Sequence, residues 1–127
     1  GFVSRLAELR AVGNPQPGHA ARIADYIQRE AASPGAGIAG LSRELHLSAS
    51  RTSHLIRRHF GRGFCDLLNE ERIRRAKVLL LSTSDKLAAI AAATGFCDEY
   101  HFSKVFRKQT GQPPGQFRKI AHVDPFP

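Results

Sequence analysis

Apolar residues recur along this 127-residue chain at intervals of three and four, and no stretch alternates apolar and polar positions with β-branched enrichment. That periodicity predicts an all-α fold. Phe2, Leu6 and Leu9 share one face of a short helix over 2–12, and Gly13-Asn14-Pro15-Gln16-Pro17-Gly18 then breaks the chain as a linker. A helix over 19–32 turns Ile23, Tyr26 and Ile27 inward and stops at Ser33-Pro34-Gly35-Ala36-Gly37. Two short helices, about 38–46 and 49–60, follow, with Ser48 as the N-cap of the second. A longer helix over 64–81 has Phe64, Leu67, Leu68, Ile73, Ala76, Leu79 and Leu80 as its apolar side. After Ser82-Thr83-Ser84, with Ser84 or Asp85 as cap, come helices over 85–94 and 98–110. Gly95 lies in the turn between them and Asp98 caps the second. Pro113-Pro114 opens a last helix to 121, and 124–127 form a loose tail.

The order short helix, tight turn, short basic helix, glycine occurs twice. Gly61 and Gly111 lie 50 positions apart, and the same offset pairs His54 with Lys104, Leu55 with Val105, Ile56 with Phe106, Arg57 with Arg107 and Arg58 with Lys108. One residue is gained in the second turn, so the preceding helices pair at an offset of 49: Leu41 with Ile90, Ser42 with Ala91, Leu47 with Phe96. Small residues at 42 and 91 suit a close approach of two helices. In a helix-turn-helix the first helix braces the second, and the outer side of the second lies in a major groove roughly 12 Å wide. A plain helical bundle with solvated basic faces is the competing account of the same pattern.

Charge narrows the choice. Nineteen Lys and Arg against eleven Asp and Glu leave a formal net charge of +8, which favours a polyanionic partner, nucleic acid or an acidic membrane surface. No apolar run approaches the roughly 18 residues that span a bilayer. Two cysteines, Cys65 and Cys97, make neither a disulfide framework nor a zinc set, and are expected as reduced core or packing residues of a cytoplasmic protein. The six histidines show no ligand spacing, so no metal and no cofactor is expected. A phosphate loop, a nucleophile elbow and a convergent acid pair are all missing, which argues against an enzyme.

The stretch 95–118, GFCDEYHFSKVFRKQTGQPPGQFR, closely resembles the signature of AraC/XylS-type transcription regulators. NEERIRRAKVLL at 69–80 resembles that family's linker helix, and LSASRTSHLIRRHFGRGF at 47–64 its first recognition helix. Thr52 stands where the family usually has Leu, at a cost in apolar burial on the order of 1 kcal/mol. Ile56 replaces a usual Phe, and His101 a common Tyr. The resemblance implies about seven helices, with two helix-turn-helix subdomains (38–60 and 85–110) joined by the linker helix. The AraC-type domain would run over 18–127, after an interdomain linker and short helix over 1–17. By position in the motif, base reading falls to Ser50, Ser53, His54, Tyr100, His101 and Lys104. Arg51, Arg57, Arg58, Arg72, Ser103, Arg107 and Lys108 are assigned to the DNA backbone.

The expected partner is double-stranded DNA, bound by two recognition helices in successive major grooves to regulate transcription, with activation and contact to RNA polymerase following the family tendency. Residues 2–12 read as a helix left from an upstream domain, so that a small-molecule effector would act through an N-terminal part outside this chain. A complete short regulator, and a basic adaptor for an acidic protein or membrane, are the alternatives. With two recognition helices per chain, this fragment is expected to be monomeric.

Overall fold

The computed structural model describes residues 18–122, the side chain of His122 excepted. The helix expected over 2–12, its linker and the tail beyond 123 lie outside the described residues. Seven helices occupy them: α1 (His19–Glu30), α2 (Ile38–Leu45), α3 (Ala49–Phe60), α4 (Phe64–Ser82), α5 (Leu87–Thr94), α6 (Glu99–Thr110) and α7 (Pro114–His122). α1 to α3 pack together with α4, and α5 to α7 pack together with α4, as two helix-turn-helix subdomains.

The start signals act as their chemistry predicts at α3 and α6. Ser48 accepts a hydrogen bond from the Arg51 amide at 3.1 Å, and Asp98 accepts one from the His101 amide at 2.7 Å. α5 begins two residues later than expected. Neither Ser84 nor Asp85 caps it; Lys86 holds the N-cap position without a side-chain bond. The Thr83 hydroxyl instead accepts from the Asp85 amide at 3.2 Å, a local turn that keeps residues 83–86 out of the helix.

Two separate clusters form the core. The first gathers Ile23, Tyr26 and Ile27 of α1, Leu41 and Leu45 of α2, Leu55 and Ile56 of α3, and Phe64 and Leu68 of α4. The second gathers Ile73, Ala76 and Leu80 of α4 with Ile90, Ala91, Phe96, Phe102 and Phe106. They share no residue, and the boundary falls between Leu68 and Ile73. The apolar positions of α4 therefore form two stripes rather than the single side read from the sequence. At 100° per residue the stripe around Phe64 and Leu68 lies roughly 140° from that of Ile73, Ala76 and Leu80. The first half of α4 closes one subdomain and the second half opens the other.

The same double role shows in two arginines. Arg72 of α4 donates through Nε to the Ala31 carbonyl at 2.8 Å and through Nη2 to that of Ser33 at 2.9 Å, covering the C-terminal end of α1. Arg118 of α7 donates through Nε to Leu80 O at 3.1 Å and through Nη2 to Thr83 O at 3.1 Å, covering the C-terminal end of α4. In both subdomains the closing helix supplies a cation to carbonyls at the end of the leading one.

Thr52 is not the defect its chemistry suggested. It is fully buried, donates to Ser48 O at 2.8 Å and accepts from the Ser42 hydroxyl at 3.0 Å. A satisfied buried hydroxyl pair thus joins α2 to α3. In the second subdomain the corresponding positions are Ala91 and Phe102, both buried in its core cluster.

Glu71 is the other buried polar group of α4. It accepts from Arg74 Nη2 at 2.7 Å, Arg75 Nε at 2.7 Å and Gln28 Nε2 at 3.3 Å, while Arg75 also reaches the Gln28 carbonyl at 2.6 Å. Burial pulls its pKa upward, but the hydrogen bonds and charges of Arg74 and Arg75 outweigh this and hold the carboxyl below its ordinary range. A carboxyl whose pKa is depressed by folding stabilises fully above its unfolded pKa, and loses that contribution as pH falls through the folded value. Glu71→Gln should lower the unfolding free energy by about 1–2 kcal/mol at neutral pH. The gap to wild type should narrow below about pH 4. Denaturant titrations of both proteins at the two pH values check this, and a gap independent of pH would contradict it.

Candidate nucleic-acid interface

α3 and α6 each bury one side and leave the other to solvent. On α3, Thr52, Leu55 and Ile56 face the core, which turns Ser50, His54 and Arg57 directly outward with Arg51 and Arg58 on one flank and half-buried Ser53 on the other. On α6, burial of Phe102 and Phe106 turns Tyr100, Lys104 and Arg107 outward. Tyr100 is 79% exposed. His101 and Lys108 flank that stripe on one side and half-buried Ser103 on the other. Both helices end in a left-handed glycine, Gly61 (φ 73°) and Gly111 (φ 86°), whose amide closes on Arg57 O and Arg107 O respectively at 2.8 Å.

The turns that aim these helices have one geometry. Leu47 N donates to Ser42 O and Phe96 N to Ala91 O, each at 3.0 Å, around a left-handed residue. That residue is His46 (φ 57°) in the first subdomain and Gly95 (φ 99°) in the second. His46 is exposed. A Cβ at Gly95 would collide with the Ala31 carbonyl and lie 2.9 Å from Arg72 Nε, so only glycine fits there.

Twelve of the thirteen side chains assigned from the sequence thus lie on α3 or α6, exposed or half-buried. His101 is held more closely than the rest. Its ring stands edge-on to Phe96 at 5.5 Å, and its Nδ1 is buried without a partner. Arg72 is the exception and a correction. It is 6% exposed, its Nε and Nη2 donate to backbone carbonyls, and its guanidinium lies 5.6 Å over the Phe96 ring. Burial lowers its pKa, and its place between the subdomains sets it apart from the outward stripes of α3 and α6. Its motif position told of its charge but not of the carbonyls waiting for it. Of the two places expected for the cysteines the core one fails: Cys65 and Cys97 are free thiols and exposed.

One further group was missed. Arg62, in the turn after α3, forms an ion pair with Glu70 and opens with Lys104 and Lys108 onto one cleft of about 530 Å³ between α4 and α6. Its counterpart in the second subdomain is Gln112, so the repeat did not mark it. This cleft places the end of α3 and the basic side of α6 on the same side of the molecule. Among the described residues no cation of α3 or α6 takes part in an ion pair, whereas Arg29, Arg62, Arg74 and Arg75 all do. The six cations of α3 and α6 thus stand on their helices without acidic partners among the described residues.

Two braced helices with free basic outer sides, carried by one chain, define a tandem helix-turn-helix DNA-binding domain. Residues 41–120 match the family model described as a helix-turn-helix domain. The chain is 35% identical over 104 residues to the arabinose operon regulatory protein of Escherichia coli (strain K12), covering 82% of this chain and 36% of that protein. The C-terminal domain of AraT, a response regulator from Geobacillus stearothermophilus, has a TM-score of 0.81 at 26% identity, covering 90% of this chain and 94% of that one. The C-terminal domain of the two-component response regulator yesN from Fusobacterium nucleatum subsp. nucleatum has a TM-score of 0.74 at 33% identity, covering 76% and 93%. This chain belongs to the AraC/XylS family of helix-turn-helix transcription regulators. It spans about a third of the length of the curated relatives it matches.

The sorting of α6 has a direct test. Lys104→Ala should cost about 1–3 kcal/mol on the best site and relax preference at one base pair. Arg107→Ala should weaken all sequences about equally. Binding of each variant to a panel of singly substituted duplexes distinguishes the two patterns, and identical profiles would contradict the division.

Proposed function

We propose that this chain reads double-stranded DNA by placing α3 and α6 in two successive major grooves on one face of the duplex. The observation that carries this reading is the repeated outward stripe, Ser50, His54 and Arg57 on α3 against Tyr100, Lys104 and Arg107 on α6, on one shared helix. In each stripe two positions can donate to or accept from base edges while an arginine and its flanking cations approach phosphates. Groove centres one turn apart lie about 34 Å from each other, so a straight duplex is bent if the helices are closer. Ser50, Ser53, His54, Tyr100, His101 and Lys104 read bases; Arg51, Arg57, Arg58, Ser103, Arg107 and Lys108 hold the backbone.

The chain is the DNA-binding part of an effector-responsive regulator that activates transcription in the cytoplasm through contact with RNA polymerase, the effector being bound by a region outside this chain. The identity with the arabinose operon regulatory protein and the short span of that relative covered here support this. No described helix is long and apolar enough to cross a membrane, and an outer stripe rich in Ser, His and Tyr suits base edges better than lipid headgroups.

Selection of bound duplexes from a randomised library should yield an asymmetric element of roughly two helical turns. With about six phosphate ligands, log K should fall against log salt with a slope of about −5. A flat response, or binding to anionic vesicles without binding to duplex, would favour an adaptor instead. Because one chain fills both grooves, the 127-residue protein should sediment as a monomer at tens of micromolar; a stable dimer or a palindromic selected site would contradict that.

A further inference from the structure

We propose that Arg72 is a positioning residue for DNA binding: by locking the turn of the second subdomain onto the end of α1, it sets the spacing at which α3 and α6 meet their half-elements. The inference rests on the two-groove reading above and adds what fixes the distance between the two readers.

The two hydrophobic clusters share no residue, so α4 alone joins them through apolar packing. A single helix bends and twists, and by itself leaves the second reader loosely placed. The gap between the clusters is filled by the Arg72 guanidinium, which touches both subdomains at once. On one side it donates to Ala31 O at 2.8 Å and Ser33 O at 2.9 Å, at the end of α1. On the other it lies 5.6 Å over the ring of Phe96, in the turn that leads into α6. Gly95, one residue earlier, is packed so tightly on Ala31 and Arg72 that a methyl group has no room. Arg118, which covers the end of α4, bonds only to residues of its own subdomain. The end of α1 is fixed to α3 by the first core, and Phe96 is fixed to α6 by ring contact with Phe102 at 5.3 Å. A chain of direct contacts therefore runs from one recognition helix to the other, with Arg72 as its middle member. A planar guanidinium suits this place, because it fills the gap with a fork of donors aimed at two carbonyls and a flat face for the ring.

The test uses the 127-residue chain and the duplex it selects, remade with the spacer between its two half-elements lengthened or shortened by one and two base pairs, and as each half-element alone. Wild type should lose at least about tenfold in affinity when the spacer changes by one base pair, since both readers can no longer engage together. Arg72→Met fills similar volume without donors. It should bind each isolated half-element as wild type does, while its penalty for a one-base-pair change falls to about threefold or less. Arg72→Lys, with its charge and a single donor group, should retain an intermediate penalty. General loss of stability would lower affinity on every duplex and leave the penalty ratio unchanged, so the ratio separates positioning from folding. If Arg72→Met gives no cooperative unfolding transition, the ratio for Arg72→Lys decides by the same criterion. A wild-type penalty preserved in the folded variant overturns the role of Arg72 and leaves the two-groove reading intact. If wild type selects no duplex at all, both fall.

Discussion

The fold depends on α4 serving two cores on two of its sides. A helix that buried one continuous stripe would draw all seven helices around a single cluster and leave no reason for two separate readers. Here the stripe changes side between Leu68 and Ile73, and the residues at the change, Glu71 and Arg72, are charged and nearly buried. Buried charges are costly unless each is paired or hydrogen-bonded. Both are: Glu71 by Arg74, Arg75 and Gln28, Arg72 by two carbonyls and an aromatic face. The partners of Glu71 tie α4 to α1, and those of Arg72 reach from the end of α1 to the turn before α6.

Repetition of the architecture did not require repetition of the contacts. At the α2–α3 crossing the hydroxyls of Ser42 and Thr52 are hydrogen-bonded, whereas the equivalent positions in the second subdomain are the apolar Ala91 and Phe102, both in its core cluster. One subdomain uses a polar pair where the other uses apolar residues. The left-handed turn residue likewise differs: His46 is open to solvent, while Gly95 lies under Ala31 and Arg72. The first turn is free to carry a side chain because nothing sits on it. The second is not, because it is also the place where the subdomains meet.

Charge follows the same division of labour. Asp25, Glu30, Glu44, Glu70 and Glu71 are engaged with Arg29, Arg62, Arg74 and Arg75. The cations of α3 and α6 have no such partners among the described residues. Part of the formal charge of +8 is thus carried without acidic partners by the outward sides of the two recognition-type helices.

The local features were legible in the sequence because local chemistry decides them. The 3.6-residue period marked the helices, Ser48 and Asp98 marked two starts, and the offset between Gly61 and Gly111 marked the repeat and with it the outward stripes. The start of α5 was misplaced because the Thr83 hydroxyl competed for the Asp85 amide, a choice between two local bonds of similar strength. What the tertiary structure alone decided was the fate of side chains whose partners are distant in sequence. Arg72 and Arg107 are alike as residues. One was assigned to phosphate and is buried, because Ala31 and Ser33, some forty positions earlier, bring their carbonyls to it. Cys65 and Cys97, expected as reduced core or packing residues, are free and exposed, because the faces of α4 and of the second turn that pack inward belong to Phe64 and Phe96. Periodicity tells which face of a helix is apolar; only the assembled neighbours tell which charged side chain finds backbone carbonyls on that face.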